Sequence, residues 1–143
     1  MAITQLSVFL ENRPGQLAAA VRTISEAGVN IRALSLADTK DFGLLRLIVD
    51  DVPKAKDVLS ERSIVLETPV IAARMDDEAG ALNHILQLLE TTKINVEYMY
   101  AFTGAAAGRA YVVRRVDDAE TAERVLRAGG VSLRTDGEMH EIV

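Results

Sequence analysis

A six-residue turn occurs twice in this chain and limits what the chain can fold into. Asn12-Arg13-Pro14-Gly15-Gln16-Leu17 returns 65 positions later, at residues 77–82, as Asp77-Glu78-Ala79-Gly80-Ala81-Leu82. Each copy stands between a run that alternates apolar and polar residues and a run with apolar residues at helical spacing. Each therefore predicts a strand-to-helix turn. We expect Asn12 and Asp77 to cap the two helices and Pro14 to lie in the first helical turn.

The glycines make these turns candidate binding sites. Gly15 and Gly80 have no side chain, so a ligand or another backbone can approach closely there. Unpaired N–H groups at a helix start, together with the positive end of the helix dipole, can hold a carboxylate or a phosphate. One such turn is well explained as a helix cap alone. Its repetition at matching places favours a function.

Composition excludes several classes of protein. The 143 residues fit one ordinary domain or two small ones, and 49% of them are hydrophobic. A net charge of −5 with scattered Lys and Arg argues against a nucleic-acid or anionic-membrane surface. The absence of cysteine removes disulfides, thiolate metal sites and cysteine nucleophiles. No apolar run approaches the ~20 residues that span a bilayer. Residues 1–5 lack the features of a signal peptide, so we expect a cytoplasmic protein.

The first half of the chain predicts a β-α-β-β-α-β order. The predicted strands are residues 3–10, 29–37, 43–49 and 63–67, with one helix ending at Gly28 and another opening at Pro53. In the first strand, Leu6, Val8 and Leu10 share one face and Gln5 and Ser7 the other, which is typical of a half-buried strand. This split βαβ order implies an antiparallel sheet with both helices on one face.

The second half repeats the order. Strands are predicted at 70–75, 94–102, 109–115 and 131–134, and the pairs Gly15/Gly80, Leu17/Leu82, Asn30/Asn95 and Gly43/Gly108 keep register. We therefore expect an α+β fold of two tandem ferredoxin-like βαββαβ domains, residues 1–67 and 68–143, joined by Glu67-Thr68-Pro69. So short a join predicts rigid packing of the two domains. Whether sheets or helical faces would abut stays open.

The residues of these runs resemble a known family. NRPGQL at 12–17, ISEAGVNI at 24–31 and FGLLRLIV at 42–49 resemble the ACT domain, a small βαββαβ ligand-binding module of regulators of amino-acid metabolism. DEAGAL at 77–82, KINVEYMYAF at 93–102 and GRAYVV at 108–113 resemble it more weakly. The resemblance implies a stand-alone tandem ACT protein that binds a free amino acid where paired domains meet. The Asp-x-Pro-Gly form of the turn is split here, because the first copy has the proline and the second has the aspartate.

The resemblance implies ligand contacts at both turns and at the start of each second strand. The implied residues are Asn12, Arg13, Pro14, Gly15, Gln16, Leu17, Asn30, Ile31, Asp77, Ala79, Gly80, Ala81, Leu82, Asn95 and Val96. A zwitterion needs N–H donors for its carboxylate, which the turns offer, and acceptors for its ammonium, which the Asn and Asp side chains and nearby carbonyls offer. Either asparagine could instead bond its own backbone as a turn residue. Arg13 could contact a ligand carboxylate or remain a solvated surface arginine.

Other residues do not suggest chemistry. His84 and His140 have no partners at metal-ligand spacing, so we expect no metal site. The pairs Asp50-Asp51 and Asp117-Asp118 precede helices and are interpreted as caps. Tyr98, Tyr100, Phe102 and Tyr111 suit core or interdomain packing. With no acid–base pair and no activated nucleophile, we expect neither an enzyme nor a cofactor.

Two other functions share this layout. RNA-recognition modules need aromatic residues on central strands and a basic surface, which three tyrosines, three phenylalanines and an acidic balance do not supply. A protein-interaction module that regulates a partner enzyme without a small ligand is the stronger alternative. Whether the glycine turns open into a pocket or are filled by side chains distinguishes the two. On either account we expect a homodimer formed through unpaired edge strands, and a regulated enzyme of amino-acid metabolism as partner.

Overall fold

Two β-α-β-β-α-β units follow one another in the computed structural model, which describes residues 3–38, 41–76, 78–103 and 109–134. The elements are β1 (Ile3–Glu11), α1 (Gln16–Glu26), β2 (Ile31–Asp38), β3 (Phe42–Val49), α2 (Val52–Leu59), β4 (Ile64–Asp76), α3 (Ala81–Thr91), β5 (Val96–Thr103), β6 (Arg109–Val116), α4 (Ala119–Ala128) and β7 (Leu133–Arg134). The predicted α+β class, with antiparallel sheets and four helices, is confirmed. No helix in the described ranges is long and apolar enough to cross a membrane.

The first unit comprises Thr4–Thr68. Its strands lie in the order β2-β3-β1-β4, and β3 pairs antiparallel with both β1 and β2. One face of this sheet packs against α1 and α2, because alternate residues of each strand point toward the helices. The buried core residues are Leu6, Val8, Leu10, Ala20, Ile24, Val29, Leu45, Leu47, Val49, Ala55 and Leu59.

The second unit comprises the described residues from Pro69 onward together with Ile3. In it β6 pairs antiparallel with β4 and β5, and β7 pairs with β4. Its core repeats the pattern of the first unit on α3 and α4. The buried residues there are Ile71, Ala73, Ile85, Leu89, Ile94, Ala122, Leu126, Val131 and Leu133.

The segment expected to join two separate strands is itself a strand. β4 runs for 13 residues, Ile64–Asp76, through Glu67-Thr68-Pro69. Pro69 has no N–H to donate, and it lies before Ile71, where the β4–β6 pairing begins, so the strand continues through it. The two strands predicted at 63–67 and 70–75 are therefore one continuous strand.

The face of β1 that points away from the helices is buried at Gln5 and Ser7, whereas the sequence predicted that it would be exposed to solvent. Gln5 is 0% exposed and Ser7 is 7% exposed. Gln5 Nε2 donates a hydrogen bond to Ser7 Oγ at 3.2 Å, which offsets part of the cost of burying two polar side chains. The prediction of a half-buried strand was wrong for these two residues.

Candidate functional site

Both glycine turns have the same backbone conformation, and it differs from the expected one. Gly15 and Gly80 are themselves the N-cap residues, with left-handed φ of 87° and 92°. No side chain caps either helix. The expectations that Asn12 would cap α1 and that Pro14 would lie in its first turn were wrong, since α1 begins at Gln16. Asp77, the predicted cap of α3, lies outside the described residues.

The backbone hydrogen bonds of the two turns match. Gln16 N–H donates to Arg13 O and Ala81 N–H to Glu78 O, each at 3.3 Å. One turn further, Ala19 N–H donates to Gly15 O at 2.9 Å. His84 N–H donates to Gly80 O at 3.0 Å in the same way. The repeat is therefore a repeat of backbone geometry as well as of residue types.

Each helix start leaves donors unused. Among the described residues, the backbone N–H groups of Leu17 and Ala18 in α1 and of Leu82 and Asn83 in α3 have no hydrogen-bond acceptor. These belong to the first N–H groups of a helix, which have no partner within it. Together with the helix dipole they provide a local preference for an anionic group.

Neither glycine is covered by a neighbouring side chain. A Cβ placed on Gly15 or on Gly80 would have no heavy atom within 4 Å. The second turn also lines a cavity of about 630 Å³. Its lining residues are Arg74, Met75, Asp76, Glu78, Ala79, Gly80, Ala81, His84, Ile85, Gly130, Val131 and Ser132. At the second turn, then, the glycine opens onto a cavity.

The charged groups around this cavity have both signs. Arg74 stands among its lining residues with Asp76 and Glu78. His84 Nε2 lies 3.3 Å from the carbonyl oxygen of Gly129, at the end of α4. A lining of mixed charge suits a zwitterion better than it suits a purely anionic or purely apolar ligand.

The first unit has a cavity of about 520 Å³ beside α1. It is lined by Leu10, Gln16, Ala19, Ala20, Arg22, Thr23, Glu26, Val58, Leu59, Glu61, Arg62 and Ser63. Of the predicted site residues it includes Gln16 but not Gly15. The two turns therefore have the same backbone conformation, but the two glycines do not line equivalent cavities.

Arg13 makes a surface ion pair. Its Nε lies 2.6 Å from Oε2 of Glu11, and the two side chains are 63% and 61% exposed. Exposed pairs of this kind contribute little to stability. In this structure Arg13 is thus a solvated residue with a local partner.

Asn30 and Asn95 make matching contacts through their backbones. Asn30 N–H donates to Asp50 Oδ1 at 2.9 Å, and Asp50 N–H donates to Asn30 O at 3.1 Å. Asn95 N–H donates to Asp117 Oδ1 at 3.2 Å, and the return bond from Asp117 N–H is 3.3 Å. Both asparagines are exposed, and neither side-chain amide bonds to another described residue. The amides are therefore available to a ligand.

In each unit the turn and the asparagine lie at opposite ends of the sheet. Asn12 N–H donates to Asp41 O at 3.3 Å, next to the first residue of β3, whereas Asn30 is bonded to Asp50, just after its last. The eight residues of β3 separate these ends by about 24 Å. In the second unit β6 has the same length and the same relation to Gly80 and Asn95. The reason is topological: α1 and α3 carry the chain back across the sheet.

The matching turns and matching loop contacts indicate a duplicated module, and comparison with known families identifies it. The family model for an ACT domain pair matches residues 1–143. The chain belongs to the ACT domain pair family. A comparison with the curated proteins finds no match.

Solved structures share the fold of this ACT pair. Protein BT0572 from Bacteroides thetaiotaomicron is 34% identical, with a TM-score of 0.91, over 97% of this chain and 96% of that one. The ligand-free regulatory subunit of aspartate kinase from Thermus thermophilus is 15% identical, with a TM-score of 0.67, over 90% and 93% of the two chains. The regulatory subunit from Thermus flavus is 16% identical, with a TM-score of 0.65, over 91% and 92%. The two Thermus structures match this ACT pair in fold alone.

Two aspartates of the ACT pair act as expected and two do not. Asp51 and Asp118 cap α2 and α4, accepting from the backbone N–H groups of Lys54 and Thr121, each at 3.1 Å. A second hydrogen bond, from the Thr121 hydroxyl at 2.7 Å, is the largest cause of a lowered Asp118 pKa. Asp50 and Asp117 instead accept from the asparagines described above. Sequence reasoning missed that role, although the reappearance of an Asp pair after each third strand was a usable signal.

No group of three or more His, Asp and Glu side chains within the four described ranges is placed to hold a metal ion. His140 and the turn at 104–107 lie outside those ranges. Tyr98 and Tyr100 of the second ACT unit lie on β5 and are partly exposed.

Proposed function

We propose that this ACT pair is a cytoplasmic regulatory protein without enzymatic activity that binds a free amino acid where paired ACT domains meet. Binding would change how the two domains, or two chains, pack together. A partner enzyme of amino-acid metabolism would respond to that change. Two proteins that share the fold are named as regulatory subunits of aspartate kinase, which supports a regulatory role.

The Gly80 turn is the observation that carries the proposal. It combines an uncovered glycine, unused N–H donors on α3 and an adjoining cavity of about 630 Å³ with charged groups of both signs. The donors suit a carboxylate, and Asp76 and Glu78 suit an ammonium group. Pockets of about 300–1,000 Å³ are usual for small ligands.

The separation of turn and asparagine supports a site shared between domains. About 24 Å is too far for one amino acid to touch Gly80 and Asn95 of the same unit. A ligand that uses one turn and one asparagine must take them from two units or from two chains. Such a ligand would bias the packing of those units, which is what a regulatory effector has to do.

Thermal unfolding against each standard amino acid tests the proposal. A ligand at about 100 times its dissociation constant adds about 2.7 kcal/mol, a shift of several degrees for domains of this size. We expect one amino acid, or a few of similar shape, to raise the melting temperature. A flat panel at millimolar concentrations would contradict the proposal.

A pair of substitutions at Gly80 tests the turn itself. Asp and Asn both tolerate left-handed backbone, and their side chains differ mainly in charge. Gly80→Asp places a negative charge beside the unused N–H groups and should weaken carboxylate binding, whereas Gly80→Asn controls for size. Equal binding by the two folded variants would exclude a role of this turn in holding the carboxylate.

Exposed apolar residues on β2 favour a second candidate, a module that docks on a protein. β2 stands at one end of the strand order, and Leu34 and Leu36 are 52% and 47% exposed. We propose that this edge pairs with a second copy of the chain. Light scattering should give the mass of a dimer for the wild type and of a monomer for Leu34→Lys. A monomeric wild type at high concentration would contradict the dimer, and a flat amino-acid panel would favour docking on another protein.

A further inference from the structure

Each second strand begins with a β-bulge that sets one residue apart. Between β2 and β3, Ile31 faces Val49 and Ala33 faces Ile48, so Arg32 is the extra residue. Between β5 and β6, Val96 faces Val116 and Tyr98 faces Arg115, so Glu97 is the extra residue. Bulges redirect a side chain out of the regular alternation and often stand beside functional sites.

The two bulged residues have opposite charge and different surroundings. Glu97 pairs with an arginine of the neighbouring strand, with Arg115 Nε 2.7 Å from its Oε2. In the first unit the position that corresponds to Arg115 is Ile48, which is 2% exposed. Arg32 therefore faces no acidic residue at the position where Glu97 faces Arg115.

Part of the Arg32 guanidinium is removed from water without a partner. Its Nε is buried and has no hydrogen-bond acceptor among the described residues. The acid that follows β3, Asp50, directs Oδ1 to the backbone N–H of Asn30 instead. An arginine offers five N–H donors and cannot lose its charge, so a buried unpaired Nε indicates that an acceptor is missing.

We propose that Arg32 binds the carboxylate of the amino-acid ligand together with the unused N–H groups of a helix start, an inference that rests on the proposed function. The planar guanidinium matches a carboxylate in two parallel hydrogen bonds. Arg32 stands next to Asn30 and Ile31, and the Asn30 amide is available to the same ligand. In the second unit the corresponding Glu97 is negative and already paired with Arg115. Each chain thus holds one arginine of this kind, at the start of β2.

The test compares amino acids with two sets of analogues, their carboxamides and their deaminated acids. The carboxamides keep the ammonium group and lose the negative charge, whereas the deaminated acids keep only the carboxylate. Melting-temperature shifts and dissociation constants are measured for wild type, Arg32→Lys and Arg32→Met. Arg127→Met serves as control, because it removes one positive charge from an exposed position on α4.

We expect the wild type to prefer each bound amino acid over its carboxamide. Arg32→Met should bind the amino acid at least about 10-fold more weakly and lose that preference, since it removes one partner of a charged hydrogen bond. Arg32→Lys should keep part of the affinity, and Arg127→Met should match the wild type. If Arg32→Met unfolds, Arg32→Lys and the wild-type preference for acid over carboxamide decide the question.

The test distinguishes failure of the proposed role of Arg32 from failure of the proposed function. Amino-acid binding that is equal in wild type and both Arg32 variants would overturn the role of Arg32 and leave the proposed function standing. Arg32-dependent binding of deaminated acids, without preference for amino acids, would support the carboxylate site and contradict the amino-acid sensor. No binding of either class to the wild type would overturn both.

Discussion

The backbone N–H of Asn30 donates a hydrogen bond to Oδ1 of Asp50 at 2.9 Å, and the N–H of Asp50 donates one back to the carbonyl of Asn30 at 3.1 Å. The pair ties the loop after α1 to the loop before α2. The same pair recurs as Asn95 and Asp117. Both asparagines at the starts of the second strands are therefore held through their backbone N–H by a carboxylate from a neighbouring loop.

Asp50→Ala should lower the free energy of unfolding by about 1 kcal/mol, because it leaves the Asn30 N–H without its acceptor. Chemical denaturation followed by circular dichroism measures the change. Asp50→Asn keeps Oδ1 and should lose less. Asp57→Ala, at an exposed position on α2, removes the same charge and controls for it. Equal losses at positions 50 and 57 would mean that the Asn30 contact is not stabilising.

Gly15→Ala and Gly80→Ala should each destabilise the protein by about 1–2 kcal/mol, because L residues are strained at φ of 87° and 92°. The space beside each glycine is open, so the loss would come from the backbone and not from a clash. Gly43→Ala is the matched control, since its Cβ would lie 3.5 Å from Leu36 Cδ1, an ordinary contact. A comparable loss at all three glycines would contradict the left-handed turns.

Gly129→Ala should cost about 0.5–1.5 kcal/mol, because the partly exposed Leu88 side chain must turn away from its preferred rotamer. A Cβ there would lie 2.5 Å from Leu88 Cδ1, although φ of −83° suits any residue. The loss should shrink in a Leu88→Ala background, and a double-mutant cycle of unfolding free energies measures the coupling. If the two losses are additive, the cost of Gly129→Ala does not arise from contact with Leu88.

Asp118 should contribute stability that disappears in acid. Hydrogen bonds from the hydroxyl and the backbone N–H of Thr121 lower the pKa of the Asp118 carboxyl in the folded protein. Because this pKa is lower in the folded protein than in the unfolded chain, the ionised carboxyl stabilises the fold at pH values above the unfolded pKa of about 3.9. That contribution is lost as the pH falls through the lower pKa of the folded state. The melting temperature of wild type should exceed that of Asp118→Ala at neutral pH, and the difference should narrow toward about pH 2.5. A constant difference across this range would contradict the assignment.

Much of the fold could be predicted because its signals are local and repeated. The pairs Gly15/Gly80 and Asn30/Asn95 mark equivalent places, and alternation in β1 and helical spacing in α1 gave the element types. The start of α1 could not be read in the same way. Asn12 and Pro14 resemble a cap followed by a first turn, yet the glycine itself takes the cap position. Propensity cannot choose between these arrangements.

The candidate site was harder to predict because it depends on what lies across the sheet. The sequence nominated both the turns and the asparagines, but their separation by about 24 Å follows from the strand pairing. Arg32 was missed because a bulge leaves no mark in the alternation of β2. Its isolation appears only when Ile48 is found where the second unit has Arg115.

The central claim is that the protein binds a free amino acid, and dialysis of the wild-type protein to equilibrium tests it most directly. The protein would be dialysed against a mixture of the standard amino acids at millimolar concentration, and the amino acids on both sides of the membrane quantified. We predict that one amino acid is enriched on the protein side in a constant ratio to the chain, and that unlabelled excess of the same compound displaces a labelled trace. Equal concentrations of every amino acid on both sides would contradict the account.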